Sequence, residues 1–334
     1  MASAKERNTY FDFLRGTAII MVVGIHTFPA ESVSFDTIDG IISIIVRQIL
    51  NAAVPIFLAI SGFFIASKDY SMGSRQHLDF LKRQIKKIYI PVLIYSIPWL
   101  VLDFHANPGN IGLKIANYTL CGYSIYYFVA LIIQYYILSP LLMRINNSGG
   151  IILTTIISTI SISLITYLLK IKHLAIPLLL YAGPFPVWIA FFFLGMYFSK
   201  HPYKESLLYP AIVSIIGLVL SVAGHMYWSS QGSMAFGIKL SSFIFSGCLI
   251  WLLFSLRLQQ KFFDNAFTKA INYMGGISFG MYLLHMYVVM IVHRYLSINS
   301  WIIDWGCILL LTIGIIYITK LIIPTISKKY LGFK

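Results

Sequence analysis

IILTTIISTISISLITYLL, residues 151–169, holds no charged side chain and is long enough to cross the hydrocarbon core of a bilayer as a helix. It lies within an uncharged stretch over 145–169, and similar stretches run over 173–199, 206–238 and 270–293. At ~1.5 Å per residue, about 20 residues span a core of ~30 Å. Strands of a membrane barrel would instead alternate in polarity over segments of ~10 residues. The stretches therefore predict membrane-spanning helices.

The composition excludes a water-soluble protein. Of the 334 residues, 58% are hydrophobic and only 11% are charged, and the mean hydropathy is +0.81. A soluble chain carries about 25% charged residues, because these cover its surface. The three cysteines, Cys121, Cys248 and Cys307, form no CxxC pair, so we expect neither a disulfide framework nor a metal site.

We predict an all-α, polytopic integral membrane protein with about ten transmembrane helices and both termini in the cytoplasm. The predicted spans are 11–29, 42–66, 87–104, 121–143, 150–169, 176–198, 207–228, 237–256, 272–294 and 302–323. We expect one membrane domain over 1–334, with its largest inner loop at 67–87 and no appended soluble domain. The first span lacks the small-residue cleavage site of a signal peptide, so we expect it to be retained.

The distribution of positive charge supports this topology. With the N-terminus inside, 18 of the 25 lysines and arginines fall on inner segments, among them Lys5, Arg7 and Lys334. The outer segments then hold Lys114, Lys170, Lys172, Lys239 and Arg294. This asymmetry follows the positive-inside rule, so the formal net charge of +14 needs no nucleic acid as a partner.

Asp12, Arg15 and His26 lie within the first predicted span, FDFLRGTAIIMVVGIH at 11–26. Residues 11 positions apart are rotated by about 1100°, ~20° beyond three full turns, so Arg15 and His26 share a helix face ~16 Å apart. Ionisable residues inside a membrane are expensive and mark functional sites. Neutral imidazole accepts a proton near neutral pH, so His26 is a candidate general base. The structural alternative is an interfacial Asp12–Arg15 ion pair and a boundary histidine.

A basic run, FLKRQIKKIYIP at 80–91, forms a second candidate site. Lys82 and Lys86 are four residues apart, as are Arg83 and Lys87, so each pair shares a helix face. Such a cluster suits the phosphates of a nucleotide-bearing cofactor that enters from the cytoplasm. It equally suits anchoring to anionic lipid headgroups, to which each cation contributes about 1 kcal/mol.

Asp12 and five further polar residues inside predicted spans are candidates for substrate binding or for stabilising an oxyanion. The five are Arg47, Ser61, Ser278, Tyr282 and His285. The last three are spaced by four and three residues and so share one helix face. For Ser61, followed by Gly62, close helix packing is the structural alternative.

Five segments, in this order, resemble the acyltransferase family 3 of integral membrane acyltransferases. They are FDFLRGTAIIMVVGIH (11–26), VPIFLAISGFF (54–64), FLKRQIKKIYIP (80–91), YYFVALIIQYYILSPLL (126–142) and ISFGMYLLH (277–285). The family's arginine, ten residues and histidine in the first span are matched by Arg15 and His26. The resemblance runs from about Tyr10 to the last span.

The resemblance implies an enzyme of the bacterial inner membrane that transfers an acyl group, usually acetyl from acetyl-CoA. The acceptor would be a hydroxyl of a cell-envelope glycan such as O-antigen, exopolysaccharide or a lipid-linked sugar; some relatives transfer succinyl instead. By this analogy His26 is catalytic, Arg15 supports the site and the basic run holds the CoA phosphates, with no metal involved. For the oxyanion we consider Ser61, Tyr282 and Arg47.

The competing hypothesis is a transporter or flippase for a glycan or an anionic metabolite. Ten spans, membrane-embedded Arg15 and His26 and a basic inner mouth would suit transport as well. Inverted repeats would favour it, and the sequence shows none that is convincing.

Overall fold

The computed structural model describes residues 9–28, 37–68, 70–106, 108–203, 205–232, 237–256, 265–296 and 298–333. Every regular element within these residues is helical. Lys5, Arg7 and Lys334, which entered the predicted charge asymmetry, lie outside them.

Fourteen α-helices are found in the described part of the chain. They are α1 (Thr9–Thr27), α2 (Ile38–Leu50), α3 (Ala53–Ile65), α4 (Arg75–Ala106), α5 (Ile111–Thr119), α6 (Tyr127–Arg144), α7 (Ser148–Thr166), α8 (Leu178–Ala182), α9 (Phe185–Lys200), α10 (Leu208–Ser230), α11 (Leu240–Leu256), α12 (Ala266–Tyr295), α13 (Trp301–Ile322) and α14 (Pro324–Tyr330). A 3₁₀ turn, Ser124–Tyr126, precedes α6, and a π-helical turn, Tyr167–Ile171, follows α7.

Seven helical stretches of the described chain are long and apolar enough to cross a membrane. They are Ile38–Ile65, Arg75–Ala106, Ser124–Arg144, Ser148–Ile171, Leu208–Ser230, Ala266–Tyr295 and Trp301–Ile322. Helices α9 and α11 are apolar but shorter. Helix α1, whose 19 residues include Asp12, Arg15 and His26, is not among the seven. The protein is therefore an all-helical, multi-pass membrane protein, while the count of ten and the side of the termini remain predictions.

The predicted span 42–66 corresponds to the apolar helical stretch Ile38–Ile65, within which Asn51 and Ala52 lie between α2 and α3. One boundary differs from the sequence prediction. The predicted loop 67–87 is largely helix, because α4 begins at Arg75. The Ser74 hydroxyl accepts a hydrogen bond of 3.2 Å from the His77 backbone N–H, which satisfies a donor at that helix start. The basic run thus lies in the polar first part of α4, which flanks the membrane-spanning part.

Glycines let two pairs of helices approach backbone to backbone. Helix α1 packs most extensively against α12, where a Cβ at Gly16 would overlap the Ile271 carbonyl and one at Gly275 would overlap the Asp12 carbonyl. Helices α3 and α9 meet in the same way, with Gly62 against the Phe192 carbonyl. Small residues at such contacts are the usual means of packing membrane helices closely. The packing alternative for the Ser61-Gly62 pair is confirmed by this contact.

The bundle has a buried centre and an apolar periphery. Helices α1 and α3 bury most of their side chains, as does the most apolar part of α12, whereas α7, α10 and α13 bury few. Outward-facing side chains on the peripheral helices are large and apolar, as at Ile152, Ile215 and Leu310. Such a surface is suited to lipid rather than to water. Asp12 of α1 and Ser278 and His285 of α12 are polar residues that lie inside the bundle.

Candidate active site

Arg15 and His26 line one cavity of about 410 Å³ between α1, α3, α6 and α12. The 11-residue spacing predicts this shared face, and Ser278 and Tyr282 of α12 line the same cavity from the opposite side. We call it the His26 cavity; its remaining lining is mostly apolar and aromatic, including Phe57. A space of this kind, with a few convergent polar groups, is typical of a small-molecule site.

His285 faces His26 across the α1–α12 contact. The two ring centroids are 5.4 Å apart, with the rings inclined by 46°. His285 is fully buried, and its Nδ1 lies 3.0 Å from the Met281 carbonyl oxygen. A carbonyl can only accept, so Nδ1 carries the proton and the Nε2 lone pair remains available. That Nε2 is buried and has no hydrogen-bond partner among the described residues.

Arg15 lies at the end of the His26 cavity where α1 begins, and Asp12 of the same helix fixes its position. Its Nη1 donates to Oδ1 of Asp12 over 2.9 Å, and its guanidinium lies 5.0 Å from the centre of the Phe64 ring. The Arg15 side chain is 31% exposed and the Asp12 side chain 6%. The ion pair of the structural alternative is therefore present, and Arg15 also faces the cavity.

A second cavity, of about 980 Å³, continues from the first toward the end of the bundle where α1 begins. Residues that line both cavities are Arg15, Phe57, Phe128, Ser278 and Phe279. Its far part is basic, with Lys87 of α4, Lys269 of α12 and Lys320 of α13. Ser278 and Arg15 thus stand at the junction of the two spaces.

A third, more open cavity of about 1050 Å³ adjoins the second, with Gln84 and Lys87 lining both. Its lining holds Arg83 and Lys86 of α4 and, facing them, Lys328 and Lys329 of α14. We call this end the basic mouth. The three spaces together lead from an exposed group of cations to His26.

Ser61 lines the second cavity and Tyr282 the His26 cavity, whereas Lys82 and Arg47 do not reach this path. Lys82 is exposed and lies outside the lining of the three cavities. The Ser61 hydroxyl donates to the Phe57 carbonyl over 2.9 Å, and the Tyr282 hydroxyl donates to the Ile125 carbonyl. Arg47 lines a separate neighbouring cavity. As oxyanion donors, Ser61 and Tyr282 would have to give up these bonds, whereas Ser278 stands at the junction.

Four lysines that line the path were predicted only as inner-side charges: Lys269, Lys320, Lys328 and Lys329. Lys320 lies near the inner end of the predicted span 302–323, and the other three lie just outside predicted spans, where positive charge is expected for topology alone. Their convergence on α4 depends on how distant helices pack, so no local pattern could have identified them. Among the described residues no three His, Cys, Asp or Glu side chains come together as metal ligands.

Comparison with known proteins agrees with this geometry. The acyltransferase 3 family model, described as an acyltransferase domain, matches residues 8–321. The chain belongs to the acyltransferase 3 family. This match covers nearly the whole chain, including both helices that carry His26 and His285, and makes the protein a membrane acyltransferase.

Two curated proteins are similar to this member of the acyltransferase 3 family. A serine/alanine racemase of Enterococcus gallinarum is 26% identical over 93% of this chain and 45% of its own length. An amino-acid racemase of Enterococcus faecalis is 32% identical over 46% of this chain and 22% of its own length. The chain thus spans less than half of these relatives. No solved structure matches the chain significantly.

Proposed function

We propose that the protein is a membrane O-acetyltransferase that moves an acetyl group from cytoplasmic acetyl-CoA to a hydroxyl of a cell-envelope glycan. The bacterial inner membrane, with both termini cytoplasmic, is the location that fits this donor and acceptor. The observation that carries the proposal is the path from the basic mouth to His26.

Acetyl-CoA matches that path in shape and is opposite to it in charge. Its phosphates and nucleotide would lie among Arg83, Lys86 and Lys87 and the facing lysines of α14, which offer several cations in an open cavity. Its uncharged pantetheine arm would follow the second cavity past Arg15, so that the thioester reaches the mostly apolar His26 cavity. Lys269 and Lys320 would hold phosphates nearest the arm.

His26 would act as the general base. Its neutral imidazole takes the proton of the acceptor hydroxyl, while that oxygen attacks the thioester carbonyl carbon. A C–O bond forms, the C–S bond breaks, and the CoA thiolate takes the proton back from the imidazolium. The tetrahedral oxyanion between these steps requires a donor, for which Ser278 lines the same cavity as His26.

His285 would position His26. Because Nδ1 of His285 donates to Met281, its Nε2 can accept an N–H from the His26 ring, directly after a small rotation or through one water. This bond would orient His26 and stabilise its protonated form, as a hydrogen-bonded partner does for the base of a catalytic triad.

Transport of a glycan or an anionic metabolite is the alternative. A path lined by cations at one end would serve a transporter too. The family assignment favours acyl transfer, because the match covers the helices that build the path except α14. Racemisation is the activity for which the two enterococcal relatives are named, and this chain spans less than half of each.

The test uses inverted membrane vesicles supplied with acetyl-CoA that carries labelled acetyl. Label should enter extracted glycolipid or polysaccharide and be released by mild base, as an ester is. His26→Ala should lower this transfer ~10²–10⁴-fold, the usual contribution of a general base. His105→Ala, which removes an exposed histidine at the end of α4, is the matched control and should leave transfer unchanged. Ester-linked label that is equal in wild type and His26→Ala would contradict the proposal.

A further inference from the structure

A fourth cavity, of about 400 Å³, opens beside the His26 cavity at the end of the bundle where α1 ends. The two spaces share the lining residues Ile25, Val54, Tyr127 and Leu178. Arg47 of α2 and Lys170 of the π-helical turn line this fourth space, which we call the cationic cavity. Neither residue lies on the path proposed for the acyl donor.

Lys170 presents a buried ammonium group to the cationic cavity. Its Nζ is inaccessible to water and has no hydrogen-bond partner among the described residues. It lies 5.0 Å from the centre of the Trp228 ring, a cation–π contact that compensates only partly for lost hydration. Lysines are almost never buried unless they are paired. An ammonium held in this way is suited to receive an anion.

Lys239 adds a second buried ammonium next to this cavity. Its side chain is 1% exposed, and its Nζ donates to Oε1 of Gln48, which also accepts from Ser221 over 3.0 Å. The same Oε1 accepts from Nδ2 of Asn51 over 3.2 Å, and Asn51 accepts from Arg47, so Gln48 and Asn51 link Lys239 to Arg47.

Arg47 completes the group from α2. It is 8% exposed, donates to Oδ1 of Asn51 and lies 5.8 Å from the centre of the Phe28 ring. Guanidinium groups bind phosphates and carboxylates in a bidentate manner. None of the described residues that line the cationic cavity is an aspartate or a glutamate. Three clustered cations cost free energy in a membrane interior, and a bound anion would offset this cost.

The other walls of the cationic cavity suit a sugar. Aromatic rings of Tyr127, Tyr181 and Trp188 line it, together with the polar side chains of Asn51 and Ser242. Aromatic faces combined with a few hydrogen-bonding groups match the mixed apolar and polar surface of a pyranose ring. The cavity therefore offers both a platform for a sugar and a site for an anion.

We propose that the cationic cavity binds an anionic group of the acceptor, a phosphate or a carboxylate carried by a sugar, with the buried Lys170 ammonium supplying the opposite charge beside it. This inference rests on the proposed function in that it takes the anion to belong to the acceptor. The shared wall then places the sugar's hydroxyls toward His26. An acidic or phosphorylated glycan is thereby favoured over a neutral one.

Binding can be measured without the acyl donor. The purified full-length protein in detergent is titrated at low ionic strength with glucose 6-phosphate, glucuronate or glucose, and tryptophan fluorescence is recorded. Trp228 contacts Lys170 and Trp188 lines the cavity, so an anion bound there should change the signal. We expect saturable changes with one or both anionic sugars at concentrations at least tenfold below any effect of glucose. The tighter of the two identifies phosphate or carboxylate.

Two variants of equal charge locate the binding. Lys170→Met should weaken anionic-sugar binding at least tenfold. Lys172→Met, which removes an exposed lysine two residues away, should leave it unchanged. Equal affinities for glucose and the anionic sugars, or equal affinities in the two variants, would overturn the inference. Either result would leave the proposed function intact if acetyl transfer is still measured in the vesicles. Conversely, anion binding without acetyl transfer would contradict the proposed function and not this inference.

Discussion

The two ends of the bundle hold their basic residues in opposite environments. At the basic mouth, Arg83 and Lys86 are exposed to solvent. At the other end, His285 beside His26 and Lys239 beside the cationic cavity are almost completely buried, and the Lys170 ammonium is inaccessible to water. Exposed charges are screened by water and salt, so each contributes little and neighbours can replace it. Buried ones are desolvated and fixed in position, so each single substitution should have a large effect.

The largest effect is therefore expected at the buried end. His285→Leu removes the nitrogen proposed to accept from His26 while keeping an apolar side chain of similar size. A hydrogen bond to a charged group is worth about 1.5–3 kcal/mol, so kcat should fall ~10–100-fold. The KM for acetyl-CoA should not change, because the donor is held at the other end.

His285→Gln serves as the conservative variant, since its amide oxygen can accept in place of Nε2. It should retain more of kcat than His285→Leu at equal thermal stability. If both variants lose the same activity, or if only the KM rises, His285 does not position the base.

An intermediate effect is expected at the contact between α1 and α12, the helices that carry His26 and His285. Gly275→Ala would bring a Cβ into the Asp12 carbonyl, so the helices must separate. Overpacking of this kind costs about 1–3 kcal/mol and should lower the melting temperature. Gly306→Ala in α13 is the matched control, because its Cβ would meet no neighbouring atom, and the better helix propensity of alanine should leave stability unchanged or raised. Equal melting temperatures would show that this glycine contact does not control the packing.

Local patterns predicted what depends on a single helix. The spacing of Arg15 and His26 placed them on one face, and Ser278 and Tyr282 line the same cavity. The uncharged stretches predicted the helical, membrane-spanning character. What the sequence did not indicate is convergence between distant helices. Lys170 and Lys239 were assigned to outer loops by the same charge count that assigned Lys172, and only packing separates the buried lysines from the exposed one.

The start of α4 was missed for a related reason. Hydropathy marks where apolar residues begin, near residue 87, but helix formation depends on backbone hydrogen bonding and tolerates a polar extension back to Arg75. The basic run lies on that extension, and its register decides which cations face α14. Arg83, Lys86 and Lys87 do so, whereas Lys82 lies outside the cavity lining.

The smallest effects are expected at the basic mouth, and they separate donor binding from lipid anchoring. Arg83→Ala and Lys328→Ala should each raise the KM for acetyl-CoA ~2–5-fold at unchanged kcat, as expected for exposed charges, and the increase should shrink at high salt. Lys82→Ala is the matched control on the same helix and should leave the KM unchanged, because Lys82 lies outside the cavity. If these residues only anchored the protein to anionic headgroups, Arg83, Lys328 and Lys82 would contribute equally. Equal effects of Lys82→Ala and Arg83→Ala would therefore assign the basic run to the membrane surface and leave Lys87, Lys269 and Lys320, deeper in the path, to bind the donor's phosphates.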